Sequence, residues 1–216
     1  MSELSLIQKI VIFAIPIIFA ITVHEVAHGW VASKLGDQTA KRMGRLTLNP
    51  IKHIDPIGTV ILPIILMAVG SIIFGWAKPV PVEWRNLRRP RQDMAWVAIA
   101  GPAANLVMMI LWALVAKFAI GLEGNLFGFA QPLFYMAMAG ISINIVLMAL
   151  NLLPLPPLDG SRVVSALLPP RAAMQYNQLE RYGLIILLLL LATGILQRIL
   201  FPIVAILQNL VYSFLS

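Results

Sequence analysis

Apolar residues in this chain come in long unbroken runs, not in the one-sided stripes of an amphipathic surface helix. Allowing some polar interruption, the runs cover about 7–33, 56–76, 94–118, 132–153 and 182–215, and roughly 20 apolar residues suffice to cross a bilayer as a helix. The pattern predicts an all-α polytopic membrane protein with about five to six membrane segments. The first span is read over 6–35, about 45 Å at helical rise and long enough to emerge on one side. Spans over 93–117 and 132–151 follow. The tail 182–215 is read as one span to about Gln197 and a second apolar piece after Pro202. The block 56–76 is interrupted by Pro63 and Gly70 and bracketed by basic residues, Lys52 before it and Lys78 to Arg91 after it. With both brackets cytoplasmic it dips in and returns as a re-entrant hairpin, the reading favoured here. A full crossing would leave the second basic cluster outside, against the positive-inside rule.

The connecting segments carry their own signals. Residues 36–55 are polar and turn-rich, with Asn49-Pro50 and Asp55-Pro56 flanking His53. Pro79-Val80-Pro81-Val82 places proline at alternate positions, a pattern that fits a short edge β-strand whose missing N–H groups face one way. Pro154, Pro156 and Pro157 break the helix that ends near Asn151, and non-helical backbone at membrane depth is tolerated where it lines a cavity. With no internal repeat and no appended soluble module, 1–216 reads as a single integral-membrane domain, with a core over 8–165 and C-terminal membrane segments over 182–215.

Composition narrows the classes. A chain of 216 residues that is 60% hydrophobic and 12% charged is too apolar for a soluble domain of its length. Its first apolar run is too long, and too rich in ionisable groups, for a cleaved signal peptide. There is no cysteine, so any metal must be held by histidine and carboxylate. The net charge of +7 does not imply nucleic acid. Ten of the sixteen Lys and Arg lie between Lys34 and Arg91, as segments kept on the cytoplasmic face require, and a nucleic-acid binder needs a soluble basic module. The N-terminus is then outside, and the C-terminal end of the first span lies toward the cytoplasm.

That end holds the candidate chemistry, Ile21-Thr22-Val23-His24-Glu25-Val26-Ala27-His28-Gly29-Trp30. Histidines four apart share one helical face, where both rings reach a single metal ion. Glu25 beside them is placed to take a proton from the attacking water, not to ligate. Three ionisable residues within five positions of a span are costly and mark function. A catalytic zinc wants a third protein ligand. His53 is the remaining histidine, and Glu25 and Asp159 are the acidic residues in, or at the end of, apolar spans.

Together, His24-Glu25-x-x-His28, Gly101-Pro102-x-x-Asn105 and Asn151-x-x-Pro154-x-x-x-x-Asp159-Gly160 resemble the site-2 protease family of intramembrane zinc metalloproteases. The resemblance covers about 8–165 and is closest to a compact form lacking PDZ and CBS domains. It implies one Zn2+ per chain bound by His24, His28 and Asp159, with Glu25 as catalytic base. It implies an endopeptidase that cuts within or near transmembrane segments of other membrane proteins, in the cell (inner) membrane, with its active site in the bilayer near the cytoplasmic side. Expected partners are such substrates and the lipid bilayer, with no nucleic acid; homo-oligomerisation is left open. A helical substrate must become extended before cleavage, and the Pro79, Val80, Pro81 segment could pair with it by β-augmentation. Asn105 and Asn151 are amide candidates for the substrate backbone or oxyanion, and His53 is a further active-site candidate. Two other classes compete. A metal or proton transporter would explain the buried ligands but not Glu25 at that offset, and a catalytically inactive membrane scaffold would not need an intact Glu25.

Overall fold

The structure, a computed structural model, describes residues 5–61, 77–122 and 129–215. It begins with α1 (Leu6–Lys34), whose first turn is closed reciprocally: Ser5 Oγ accepts the Gln8 N–H while Gln8 Oε1 accepts the Ser5 N–H. A single turn α2 (Thr39–Arg42), a 3-10 turn at Pro50–His53 and a π turn at Pro56–Ile61 follow. After a 3-10 turn at Trp84–Asn86 come α3 (Pro90–Gly121) and α4 (Ala130–Asn151). The short helices α5 (Asp159–Leu167), α6 (Pro170–Asn177) and α7 (Glu180–Ala192) lead to α8 (Ile195–Leu215).

Among the described residues four helices are long and apolar enough to cross a membrane: Ile10–Lys34, Pro90–Gly121, Ala130–Asn151 and Ile195–Leu215. α1, α3 and α4 pack on one another and α8 lies against α4. The α3–α4–α8 seam is made of Met109, Ala113, Ala116, Ala137, Ile141, Ile145 and Val211. The alanines let backbones approach closely, which in lipid substitutes for the hydrophobic drive that water would supply. The outward faces stay apolar, with Phe13, Phe118, Phe201 and Ile206 exposed, a surface suited to lipid. Trp30 and Trp96 are exposed near the ends of α1 and α3, and the Lys34 ammonium sits 5.6 Å from the Trp30 ring, an arrangement typical of a membrane interface.

A polar clip closes this end of the bundle. Asp37 is fully buried and accepts hydrogen bonds from the Thr39 N–H and hydroxyl, the Glu83 N–H and the Asn86 amide. The Arg88 N–H donates to Leu35 O. Burial alone would push the Asp37 carboxyl up, but these donors outweigh it and hold its pKa below the ordinary carboxylate value.

Two expectations are adjusted. No β-strand is present among the described residues: 77–83 form irregular backbone. No described strand lies alongside, and the polar groups of Lys78 to Val80 are taken up by side chains and by one loop carbonyl. The C-terminal tail divides at Gly194, whose φ of +73° ends α7 in the left-handed conformation glycine tolerates, so Pro202 falls inside α8. The re-entrant reading of 56–76 lies mostly outside the described residues, of which only Pro56–Ile61 belong to that block.

Candidate metal centre

His24 and His28 project from one face of α1 with ring centroids 4.6 Å apart and planes near perpendicular. Their Nε2 atoms lie 3.0 Å apart. Asp159 Oδ2 reaches both, at 3.2 Å from His24 Nε2 and 3.3 Å from His28 Nε2. The chain delivers Asp159 by ending α4 at Asn151, turning through the prolines and starting α5 with the aspartate itself. Gly160 makes that turn possible, since a Cβ there would stand 2.3 Å from Leu152 O and 2.5 Å from Leu153 O.

The outer ring nitrogens decide the tautomers. His28 Nδ1 lies 2.7 Å from Val97 O, a carbonyl that can only accept, so that nitrogen carries the proton. His24 Nδ1 lies 2.6 Å from Asn105 Oδ1 and is protonated for the same reason. Both Nε2 lone pairs therefore point inward at the Asp159 carboxylate, whose buried Oδ2 has no hydrogen-bond donor. Three potential ligand atoms converge, all within 4.8 Å of one another. With both rings neutral, such a cluster is held together by a cation in its midst. Two imidazoles and one carboxylate, each imidazole braced at its far nitrogen, form a donor set and bracing that fit a catalytic zinc. Gly101 sets how closely α3 approaches: a Cβ at this position would come 2.4 Å from His28 Nε2 and 2.5 Å from His24 Cε1.

Glu25 stands apart from the ligand cluster and faces the 77–83 segment. Its Oε2 accepts the Val80 N–H at 2.7 Å. The segment is gripped from the other side by Arg45, whose Nη2 donates to Lys78 O at 3.0 Å and to Pro79 O at 3.3 Å. The Lys78 N–H donates to His53 O. With Pro79 and Pro81 lacking donors, the Val80 amide is the one backbone N–H between residues 79 and 81.

The remaining sequence candidates are distributed as follows. His53 is buried behind this loop, with Nε2 donating to Thr47 O at 2.9 Å, and it is not among the grouped ligands. Asn105 is fully buried on the far side of His24. The Asn151 amide donates to Leu147 O within its own helix. Sequence reasoning passed over Asn144, which is fully buried and accepts the Asn105 amide at 2.9 Å. Its signal was a lone carboxamide in the middle of an apolar span, which is costly unless partnered.

These features define a helical membrane protein with a largely buried cluster of two histidines and one aspartate that could hold a metal ion. The model of peptidase family M50 matches residues 123–194. The chain is 44% identical over 190 residues to "Putative zinc metalloprotease YwhC" of Bacillus subtilis, spanning 87% of this chain and 83% of that one. It is 31% identical to "Putative zinc metalloprotease Rip2" of Mycolicibacterium smegmatis, over 87% of this chain and 69% of the relative. The Rip2 protein of Mycobacterium tuberculosis H37Rv is 26% identical, over 79% and 62% of the two chains. No solved structure matches. The chain belongs to peptidase family M50, the site-2 proteases.

Proposed function

We propose that this protein is an intramembrane zinc endopeptidase that hydrolyses peptide bonds within or near the transmembrane segments of other membrane proteins. The observation that carries the reading is the convergence of two imidazole lone pairs and a carboxylate beside, but not including, Glu25. His24, His28 and Asp159 are the ligands of one Zn2+ per chain. When bound, zinc supplies Lewis acidity for the scissile carbonyl and acidifies water toward neutrality. Glu25 accepts the proton of the attacking water and returns it to the leaving amine. Val97 O, Asn105 and Gly101 keep both imidazoles in the ligating tautomer and position.

The substrate must present an extended backbone. Pro79, Val80 and Pro81 lie beside Glu25, and a substrate strand that takes over their backbone groups from Glu25 and Arg45 is brought next to the base. On arrival it completes the edge strand that the free protein lacks. His53 supports this segment through its carbonyl, which accepts the Lys78 N–H, and Asn151, at the end of α4, is an amide candidate for the substrate backbone or oxyanion. The basic loops around Lys34 to Arg91 put the site on the cytoplasmic side of the inner membrane. Beyond the four described spans, α7 is the candidate for a fifth membrane segment.

Cleavage of single-span peptides by detergent-purified protein, with bound zinc quantified, tests the reading. Glu25→Gln should lower turnover by about 10²–10⁴-fold while zinc stays near one per chain. Undiminished cleavage in that variant, or no zinc in the wild type, would reject it.

A further inference from the structure

Behind His24 a chain of carboxamides crosses three helices. Asn105 on α3 and Asn144 on α4 are both fully buried, and neither belongs to the ligand set. The Asn144 Nδ2 donates to Gly140 O at 2.8 Å. A backbone carbonyl can only accept, so the amide end of Asn144 is fixed there and its Oδ1 is turned toward α3. That oxygen accepts the Asn105 Nδ2 at 2.9 Å. Asn105 is thereby compelled to show its own Oδ1 to His24 Nδ1, 2.6 Å away, with its amide also near Ala20 O at 3.5 Å. The direction of the relay follows from the Gly140 carbonyl on α4, with the longer contact to Ala20 O on α1 agreeing with it.

Without Asn144, only the long 3.5 Å contact to Ala20 O would hold Asn105 in this orientation. Its two ends are nearly the same shape, and a flipped amide would offer N–H to His24 Nδ1. The imidazole would answer by moving its proton to Nε2, the atom needed for the metal. His28 is immune to this fault because Val97 O is main chain and cannot flip. Only one of the two ligand histidines depends on a relay.

We propose that Asn144 is a positioning residue for the metal centre: acting through Asn105, it fixes the Nδ1–H tautomer of His24 and so keeps Nε2 available to zinc. The inference rests on the metalloprotease reading above, and it is tested separately from cleavage. Zinc affinity is measured by chelator competition on the detergent-purified full chain, with His28→Ala as the control that removes the site. Asn144→Leu should weaken zinc about 10–100-fold, the usual effect of losing an outer-shell partner. Asn144→Asp in its protonated form keeps the shape, donates to Gly140 O and still accepts from Asn105, so it should bind zinc nearly as the wild type does.

The decisive variant is Asn105→Asp placed in the Asn144→Leu background. A carboxylate can only accept, needs no orienting, and should restore zinc affinity; if Asn144 were merely a packing residue, adding a buried carboxylate would not help. The ring nitrogens give a second readout, because the chain has only three histidines. Nitrogen-15 NMR of histidine-labelled, metal-free protein should show Nδ1–H for His24 in the wild type and a mixture of tautomers in Asn144→Leu. Wild-type affinity and a single tautomer in Asn144→Leu would overturn the proposal, as would failure of Asn105→Asp to rescue. Absence of zinc from the wild type would instead sink the underlying reading.

Discussion

The two halves of the site are built differently. On the proposed assignment the metal-holding half stands on helices: α1 supplies the histidines, α3 and α4 brace them with buried carbonyl and carboxamide groups, and α5 opens with Asp159. The proton-handling half rests on a loop. Glu25 is bonded to Val80 in irregular backbone, and that backbone is held by the side chain of Arg45. Helices place atoms to within fractions of an ångström, which metal coordination demands. A loop gives way, which a site that must admit a folded substrate also demands. Rigidity and access are assigned to separate elements of one centre.

Substitutions can break each half alone. Gly101→Val would drive a side chain into the two imidazoles, where even a Cβ lies 2.4 Å from His28 Nε2. Zinc content and cleavage should both fall below detection while the helices remain, read by metal analysis and circular dichroism. Arg45→Met removes the grip on Lys78 and Pro79 without touching the ligands. Hydrogen bonds from a charged group are worth about 1.5–3 kcal/mol, so cleavage should drop roughly tenfold or more with zinc unchanged. Loss of zinc in this variant would show that the halves are not separable.

The smallest effect is expected at the Asp37 clip. Its folded pKa is lowered, so its contribution is complete above the ordinary carboxylate value of about 3.9 and is lost as pH falls through the lower folded value. Asp37→Asn should loosen 35–45 and 83–88 by about 1–3 kcal/mol at neutral pH. Hydrogen exchange in these loops should rise in the variant at pH 7, and in the wild type only under strongly acid conditions.

Much of the rigid half was legible in the sequence because helices announce themselves locally. His24 and His28 share a face through helical periodicity, and the apolar runs gave the long spans close to their observed limits. Asp159 was reachable because three prolines broke a span just before it. The loop half was less legible. Alternating prolines suggested a paired strand, but pairing depends on a neighbour that no local pattern reveals, and the Val80 amide found a carboxylate instead. Asn144 escaped for a related reason: it carries no motif spacing, and its meaning lies in two partners from distant parts of the chain. Gly194 outweighed Pro202 as the tail's break because a left-handed cap ends a helix, while an exposed proline can be carried within one.

The ligands also impose an order on biogenesis. His24 and His28 leave the ribosome in the first span, whereas Asp159 follows only after more than half of the chain has been made. Through that interval the nascent protein can insert α1, α3 and α4 yet lacks its third metal ligand. On the proposed assignment, a hydrolytic centre embedded among other membrane proteins thus stays unarmed until the turn after α4 has been made.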